Sequence, residues 1–400
     1  MGWGVVDWIR STKAEIHTTI TKLKIMKNRI LTILLGFLLL SVWSCQKAAD
    51  LTANSKEELE EKLKSEFEKS NTTSIAYCVV KNDKMLHSGA LGFADTKNNK
   101  LATDNTRYLI ASVSKTITAV AAMKLVEQNS IQLDDDINQY LPFPVRNPSF
   151  PNDKITLRML LSHRSSISDK FQETLTLDCY GIDCPMSLDQ YFKAVFTSTG
   201  QYFSANNFSN KKPGKAEDYS NLGSALIGYL VERISKTPFD VYCMNNIFTP
   251  LGMTKTEWRL ANTPISELAI PYSPDISSPN PHYTFPDYPN GGLRTTVLDL
   301  SKFLSMVIQN GNFNNTQILT PASMAAMKTL QFGSTEFCLS FYYDTIGGRN
   351  VLGHNGGEKG VTTEMYYDTN NNVGVIVFSN EEDVELENIV TLLFNYGEKK

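Results

Sequence analysis

The sequence predicts a mixed α/β (α+β) fold. Both ends of the chain build one antiparallel sheet flanked by helices, and an all-α lobe is inserted between them. Two observations predict this arrangement. Strand-like segments occur near both ends, at 75–93 and 363–380, whereas the region from about 130 to 290 alternates helical patterns with long polar loops. With 400 residues, 42% of them hydrophobic, the chain is long enough for a large core or two lobes.

The N-terminal segment predicts export from a bacterial cell. Four basic residues within Lys22–Arg29 precede the apolar run Ile30–Trp43, which is short for a membrane span and typical of a signal peptide. The run ends in Val-Trp-Ser-Cys, which resembles a bacterial lipobox and implies acylation of Cys45 after cleavage before it. A plainly cleaved signal and an uncleaved anchor stay open as alternatives, and Met26 is an alternative start. We therefore expect a periplasmic protein or a lipoprotein held at the membrane by its N-terminal lipid.

The domain boundaries follow from this assignment. We expect a signal peptide over 1–45, a tether over 46–54 and one folded domain over 55–396. Within that domain, the predicted parts are an α/β part at about 55–115 and 295–396 and a helical lobe at about 116–294.

Local patterns predict the individual elements. Ser55-Lys56-Glu57-Glu58 predicts a capping box that opens a helix, and Lys81–Lys84 predicts the turn of a β-hairpin. Apolar residues follow Ser112 at helical spacing. Thr369–Asn372 predicts a second hairpin turn, and Val384–Tyr396 predicts a closing helix. Further helices are predicted at 222–234, 238–247 and 298–309.

The composition argues against several classes of partner. The net charge is −4, and no sustained basic stripe with interleaved aromatic residues occurs, so a nucleic-acid partner is not expected. No Cys-x-x-Cys or His/Cys cluster with zinc spacing occurs, so we expect no metal. Cys179 and Cys184 lie close together in a loop and are candidates for a disulfide in an exported protein, with two unpaired thiols as the alternative.

A first short segment carries a candidate nucleophile. Acyl transfer needs a nucleophile, a base and donors for the oxyanion. In Ser112-Val113-Ser114-Lys115, helical spacing would place Lys115 beside the Ser112 hydroxyl. Free N–H groups at a helix N-terminus also favour developing negative charge. The motif alone is weak, since Ser209–Lys212 is a second copy in a polar loop.

A second segment is Tyr219-Ser220-Asn221. A phenol beside an ammonium group can pass protons to a leaving group, and the Asn221 amide offers both a donor and an acceptor to a substrate. The structural alternative is a tyrosine that fastens a loop to a helix N-cap, and Tyr288-Pro289-Asn290 matches the same pattern. Whether Lys115 or Tyr219 is the base stays open, because the two would titrate as a coupled pair.

A third segment is His354-Asn355-Gly356, followed by Gly357. A strand edge lined with glycines lets a substrate approach the backbone, and the N–H of Gly357 would complete an oxyanion hole with the N–H of Ser112. His354 is a candidate for exchanging protons near Tyr219 or for contacting a substrate carboxylate. The structural alternative is a histidine in a turn.

In this order the three segments resemble the serine β-lactamase-related family, on its class C side. β-Lactamases and penicillin-binding proteins carry the related set Ser-x-x-Lys, Ser-Asp-Asn and Lys-Thr-Gly. Ile155–His163 is also similar to the family segment ITLRHLLTH. The resemblance runs from about Ser74 to Asn380. It implies a DD-peptidase/β-lactamase-like fold, acylation of Ser112 followed by hydrolysis, no cofactor, and a small-molecule or peptide substrate.

Two positions depart from the family pattern. His354 stands where class C β-lactamases have lysine, and a histidine is less reliably cationic, so dedicated antibiotic hydrolysis is not favoured. Arg164-Ser165-Ser166 replaces the usual Thr-Ser-Gly. We predict a serine hydrolase of amides or esters, which leaves peptides, D-amino-acid derivatives, small esters, β-lactams and transpeptidation open. The competing hypothesis is a lipoprotein that binds penicillin or cell-wall peptides without turnover.

Overall fold

The computed structural model describes residues 50–274 and 279–400. The signal peptide, Cys45 and the first four residues of the expected tether lie outside these residues. Within the described ranges, no helix is both long enough and apolar enough to cross a bilayer.

An antiparallel sheet of seven strands forms the centre of the fold, in the order β10-β11-β12-β13-β1-β2-β3. The strands around its middle come from opposite ends of the chain, because β13 pairs with β1 from Ile75↔Ser379 to Lys81↔Val373. In chain order the strands are β1 (Ser74–Lys81), β2 (Lys84–Asp95), β3 (Lys100–Leu101), β4 (Tyr108–Leu109), β5 (Cys179–Tyr180), β6 (Tyr283–Thr284), β7 (Arg294–Thr295), β8 (Asn312–Phe313), β9 (Thr316–Gln317), β10 (Tyr342–Ile346), β11 (Arg349–Glu358), β12 (Val361–Asp368) and β13 (Val373–Ser379).

Helices cover both faces of this sheet. In chain order they are α1 (Lys56–Ser70), α2 (Ser114–Glu127), α3 (Leu157–Leu161), α4 (Leu188–Phe196), α5 (Asn221–Ser235), α6 (Phe239–Cys243), α7 (Thr249–Leu251), α8 (Val297–Ile308), α9 (Pro321–Lys328) and α10 (Glu387–Glu398). A single π-helical turn, Met244–Phe248, joins α6 to α7.

Strand β1 shows why both faces are apolar. Alternate side chains of a strand point to opposite faces, and Ile75, Tyr77 and Val79 pack in the cluster that contains α1 and α10. The intervening Cys78 and Val80 pack in the larger cluster with α2, α5 and α8. An antiparallel sheet usually leaves one face in water, but here helices bury both, so β1 is apolar almost throughout.

The predicted sheet, built from both ends of the chain around a helical insertion, is confirmed. The predicted capping box forms only one of its two contacts. Ser55 accepts a bond from the N–H of Glu58, but the Glu58 carboxylate accepts from the N–H of Asn54 and not from that of Ser55.

The nucleophile segment begins with a 3₁₀ turn and not with an α-helix. Ala111 has a backbone φ of 46°, in the left-handed region, Ala111–Val113 forms the 3₁₀ turn, and helix α2 begins only at Ser114. Nothing in the sequence predicts a positive φ at this alanine.

The five described cysteines are one bonded pair and three buried thiols. The sulfurs of Cys179 and Cys184 lie 1.99 Å apart as a disulfide that closes a short loop beside β5. The free thiols, all inside the core, are Cys78, Cys243 and Cys338.

Candidate active site

The 3₁₀ turn before α2 presents Ser112 to a cleft between the sheet and the helical lobe. Its neighbours Ala111 and Val113 are buried, whereas Ser112 itself is partly exposed. The turn is fixed from behind, because the hydroxyl of Ser114 accepts a bond from the backbone N–H of Leu293. Only the serine side chain of this turn is therefore free to meet a substrate.

Lys115 is almost completely buried, with 1% of its surface exposed, and its ammonium nitrogen meets three oxygens. Nζ lies 2.9 Å from Ser112 Oγ, 2.7 Å from Asn221 Oδ1 and 2.9 Å from the carbonyl oxygen of Asn290. A protonated lysine has three N–H donors, so each of them has an acceptor here. A buried cation without such partners would be strongly unfavourable.

Helix α5 positions Asn221, its first residue. The Asp169 carboxylate accepts three bonds at this helix N-terminus, from the hydroxyl of Ser220 at 2.8 Å and from the N–H groups of Asn221 and Leu222 at 2.5 and 3.0 Å. A carboxylate at a helix N-terminus is stabilised by both the unpaired N–H groups and the helix dipole. Within the described residues the Asn221 amide nitrogen makes no hydrogen bond, so it is available to a substrate oxygen.

Asn290 is a site residue that sequence reasoning set aside. Tyr288-Pro289-Asn290 matches the pattern of the second motif, and the carbonyl of its last residue accepts from Lys115. The segment is held there because the Thr118 hydroxyl of α2 donates to the carbonyl of Pro289 at 2.7 Å. Backbone carbonyls do not depend on residue type, so no side-chain motif identifies such a contact.

Tyr219 lies beside the lysine without bonding to it. Its ring centroid is 5.1 Å from Lys115 Nζ, and the ring stacks on the imidazole of His163 at 4.3 Å. The side chain is 41% exposed, and within the described ranges its hydroxyl has no hydrogen-bond partner. The tyrosine therefore borders the cleft with its hydroxyl unbound.

Gly356 brings strand β11 against the nucleophile turn. A Cβ atom at this position would lie 2.7 Å from the carbonyl oxygen of Ile110 and 2.9 Å from the backbone nitrogen of Ser112. Both distances are too short for a carbon atom. The strand can approach the turn this closely only because residue 356 has no side chain.

The N–H of Gly357 points to an open edge of the sheet. The N–H of Asn355 donates to the hydroxyl of Tyr342, which lies on the β10 side of β11. Residues two apart on a strand point the same way, so the N–H of Gly357 faces that side too. Pairing with β10 starts at Tyr342↔Gly353, so β10 does not cover the strand edge at Gly357.

His354 is buried behind Tyr219, with 2% of its surface exposed. Its Nδ1 contacts the carbonyl oxygen of Asn355 at 2.5 Å, which makes Nδ1 the donor and leaves Nε2 as a buried acceptor with no hydrogen-bond partner among residues 50–274 and 279–400. Burial and the nearby Lys115 cation lower the pKa of His354 to about 3. The third motif therefore carries a neutral imidazole near neutral pH.

A cleft of about 280 Å³ continues from Asn221 and Asn290. No lysine or arginine is among the residues that line it, all of them within the described chain. Burial, together with the negative charges of Asp169 and Glu358, raises the pKa of Asp287 to about 7, although the Lys115 cation acts in the opposite direction. The carboxylates that line the cleft are Asp169, Glu173, Asp178, Asp287 and Glu358.

Among residues 50–274 and 279–400, no group of three or more histidine, cysteine, aspartate or glutamate side chains is arranged to hold a metal ion.

Known proteins share this fold and part of this sequence. Protein flp of Staphylococcus aureus (strain N315) is 26% identical over 258 residues, which are 64% of this chain and 49% of that protein. The chain thus spans about half the length of the curated relatives it matches first. Among solved structures, the octameric penicillin-binding protein homologue from Pyrococcus abyssi superimposes with a TM-score of 0.68 at 21% identity, over 85% of this chain and 76% of that one. The D-amino acid amidase from Ochrobactrum anthropi SV3, in complex with L-phenylalanine amide, gives 0.67 at 20% identity, over 87% and 98%.

A family model defines the relationship, which the two structures support at the level of the fold. The model described as Beta-lactamase matches residues 58–391, which include the nucleophile turn, the α5 N-terminus and strand β11. This match covers most of the chain and confirms the resemblance that the three motifs predict: the chain belongs to the beta-lactamase family.

Proposed function

We propose that the chain is a serine hydrolase in which Ser112 Oγ attacks the carbonyl carbon of an amide or ester and expels its amine or alcohol to form an acyl-enzyme. Water then hydrolyses the acyl-enzyme, which releases the acid and regenerates the serine. The contact that carries this proposal is the 2.9 Å approach of Lys115 Nζ to Ser112 Oγ. A nucleophilic serine needs an adjacent base within hydrogen-bond distance, and Lys115 is the side chain at that distance.

The other two contacts of Lys115 support its role as that base. Asn221 Oδ1 and the carbonyl of Asn290 can only accept, so they use two N–H groups of the lysine in either protonation state. In the neutral amine, the remaining lone pair then points to Ser112 and accepts its hydroxyl proton. After the transfer, the third N–H points back at Oγ. A proton can therefore pass from Ser112 Oγ to Lys115 Nζ, and back again, without rearrangement of the surrounding groups.

The oxyanion would be stabilised by two backbone N–H groups, those of Ser112 and Gly357. The open strand edge at Gly357 and the close approach of β11 at Gly356 support this assignment. Tyr219 borders the cleft with an unbound hydroxyl, which suits a group that donates its proton to the leaving atom and regains one from the Lys115 ammonium, 5.1 Å from its ring centroid.

The charge of the cleft favours a substrate without negative charge and, within that class, one with a free amine. His354 is neutral, and five carboxyl groups line the cleft beyond Asn221. Lys359 pairs with one of them, Asp178, at 3.0 Å, and the pKa of Asp287 is about 7, so Asp169, Glu173 and Glu358 provide most of the negative charge. Transfer of an anion into this potential is unfavourable, and transfer of an ammonium group is favourable. We therefore propose amides or esters of amino acids and short peptides as substrates, ahead of β-lactams, whose recognition involves a carboxylate.

Hydrolysis of a p-nitrophenyl ester by the full-length chain tests the nucleophile. We expect sustained turnover after a burst of nitrophenol close to one equivalent, and neither in a folded Ser112→Ala variant. A burst without turnover would favour the competing hypothesis of a binding lipoprotein. Equal activity of both proteins would show that Ser112 is not the nucleophile.

A matched substrate series tests the proposed charge preference. The series compares an amino-acid p-nitroanilide with a free ammonium group, in both enantiomers, with its N-acetyl and N-succinyl forms. We expect kcat/KM to fall in that order, and the gap to narrow as salt screens the cleft. A preference for the succinylated substrate would rule out this assignment.

Export and lipidation belong to the same proposal. Cys45 at the end of the apolar run supports a lipid anchor, and the partner of that lipid is the bacterial membrane. Radiolabelled palmitate should label the full-length chain in bacterial cells but not a Cys45→Ala variant. Labelling of both proteins, or of neither, would count against the lipobox.

A further inference from the structure

We propose that His163 is a positioning residue of this site, which holds the Tyr219-Ser220-Asn221 loop in place against Lys115. This inference rests on the proposed function, because it concerns how the same nucleophile is supported. Nothing in the three motifs assigns a role to this histidine.

His163 is held in an unfavourable state that needs a compensating interaction. Its backbone has φ 56°, in the left-handed region, and only 2% of the residue is exposed. Its Nε2 atom has no hydrogen-bond partner among the described residues. A buried polar group without a partner destabilises a fold, so a leucine would serve better if the position only filled space.

Two side-chain contacts and one backbone contact connect this histidine to the loop. The N–H of Ser220 donates to His163 Nδ1 at 3.2 Å, and the N–H of Asp218 donates to the His163 carbonyl oxygen at 2.8 Å. The imidazole stacks on the Tyr219 ring, with centroids 4.3 Å apart and planes 30° apart. The loop is thus fixed at three successive residues just before Asn221.

The contact at Nδ1 defines the state of the ring. Since Nδ1 accepts a hydrogen bond from the N–H of Ser220, the neutral imidazole carries its own hydrogen on Nε2. Burial, Lys115 and His354 all hold the pKa of His163 well below its usual range. The ring therefore keeps this acceptor near neutral pH and adds no second cation beside Lys115.

The loop that His163 holds places one group at each of its ends against Lys115. Tyr219 lies 5.1 Å from Lys115 Nζ at one end, and Asn221 Oδ1 accepts from the same nitrogen at the other. A shift of the loop would move both groups relative to the base. Misplacement by about 1 Å can lower a rate by about 100-fold.

Three variants of the full-length chain separate the contacts. Asn at position 163 can place an acceptor near the position of Nδ1, Phe keeps a ring on Tyr219, and Leu provides neither. We expect His163→Leu to lower kcat by about 100-fold with KM within about threefold, and His163→Asn to recover at least about tenfold of that loss. Amide exchange of the peptide that contains Ser220 should be faster in the Leu and Phe variants than in the Asn variant.

The control is His87→Leu, the same substitution at another buried histidine, whose Nε2 lies 3.5 Å from Glu60 Oε1. His87 lies on the opposite face of the sheet, against Tyr77 and Tyr396, and its replacement should leave kcat unchanged. If His163→Leu fails to fold, the Asn and Phe variants decide between the contacts. Wild-type kcat in folded Leu or Phe variants, or equal exchange at Ser220 in all variants, would overturn the proposal. Failure of the proposed function is distinct, since it would appear as full activity in Ser112→Ala.

Discussion

Lys115 is the residue on which most of the site converges, since one nitrogen contacts the nucleophile, the α5 N-terminus and a distant loop. We expect Lys115→Met to lower kcat/KM by at least about 1,000-fold, because the base is lost and two buried oxygens lose their donor. Ester hydrolysis and a thermal melt measure the two effects.

Lys124→Met provides a matched control on the same helix. Lys124 is also partly buried, and its Nζ donates to a single carbonyl, that of Ile318, at 2.9 Å. Its replacement should lower the melting temperature without a comparable loss of kcat/KM. Equal losses of activity in the two variants would mean that Lys115 only supports the fold.

Glu364 gives the protein a pH-dependent stability. Burial, followed by the charges of Asp344 of β10 and Glu385 before α10, raises its pKa to about 8, and Glu387 lies in the same pocket. The folded-state pKa lies above the unfolded value of 4.5, so the folded state holds more protons between these pH values. Stability of the wild type therefore falls as the pH rises through this window.

Glu364→Gln removes that titration. The melting temperature of this variant relative to the wild type should increase from about pH 4.5 and level off above about pH 8, by an amount on the order of 5 °C. Glu68→Gln, at an exposed position of α1, should show a difference that does not change with pH. A flat difference for Glu364→Gln as well would show that this carboxyl titrates normally.

The sequence predicted Ser112, Lys115 and Asn221 as site residues. In the structure, Ser112 Oγ and Asn221 Oδ1 both lie within 3 Å of Lys115 Nζ. It did not point to Asp169 or Asn290. Asp169 acts by capping a helix 52 residues away in the chain, and Asn290 acts through its backbone. Neither contact follows a local spacing, so only the folded chain reveals it.

At the scale of the elements, the stability of helix α5 affects the site because the first residue of this helix, Asn221, contacts Lys115. Asp169→Asn keeps the size of the capping side chain but removes its charge and one of its acceptor oxygens. We expect a loss of about 1–2 kcal/mol in the free energy of unfolding, together with a fall in kcat, because Asn221 loses its anchor. Urea unfolding and ester hydrolysis measure the two quantities.

Asp83→Asn, in the exposed turn between β1 and β2, is the control for that variant. It should change neither the free energy of unfolding nor kcat. A folded Asp169→Asn protein with unchanged kcat would mean that Lys115 alone fixes Asn221.

The close approach of strand β11 to the nucleophile turn depends on the absence of a side chain at Gly356. We expect Gly356→Ala to lower kcat by about 100-fold, since the new Cβ would press the strand away from Ile110 and Ser112. Asn355→Ala, at an exposed position of the same strand, should keep wild-type kcat. Activity of Gly356→Ala close to wild type would show that the strand and the turn can separate without consequence.

The hairpins and most helices were predictable because their periodicity is local. The turn at Ala111 was not, because a left-handed non-glycine residue is imposed by tertiary contacts rather than by the chain itself. The capping of α1 differed for a related reason: Asn54 competes with Ser55 for the same carboxylate.

At the scale of the whole molecule, the sequence predicted that strands from both ends share one sheet, and the pairing of β1 with β13 confirms it. It did not predict the negative potential of the cleft. Asp169, Asp178, Asp287 and Glu358 are far apart in the chain, and only the packing of the helical lobe on the sheet gathers them. The net charge of the whole chain is only −4, so the composition gives no indication of this local excess of negative charge.

The chain enters and leaves this domain at the same place. Lys399 and Lys400 donate to the side chain and carbonyl of Asn54 at 2.8 and 3.1 Å, on the face of the sheet that is opposite the cleft. A circular permutant that joins residue 400 to Leu51 through a short glycine-serine linker should therefore fold. New ends between Asn314 and Asn315, both exposed in the β8–β9 turn, avoid the site. Wild-type kcat in this permutant would show that the order of the elements along the chain is dispensable, whereas an unfolded product would show that β1 must be made before β13.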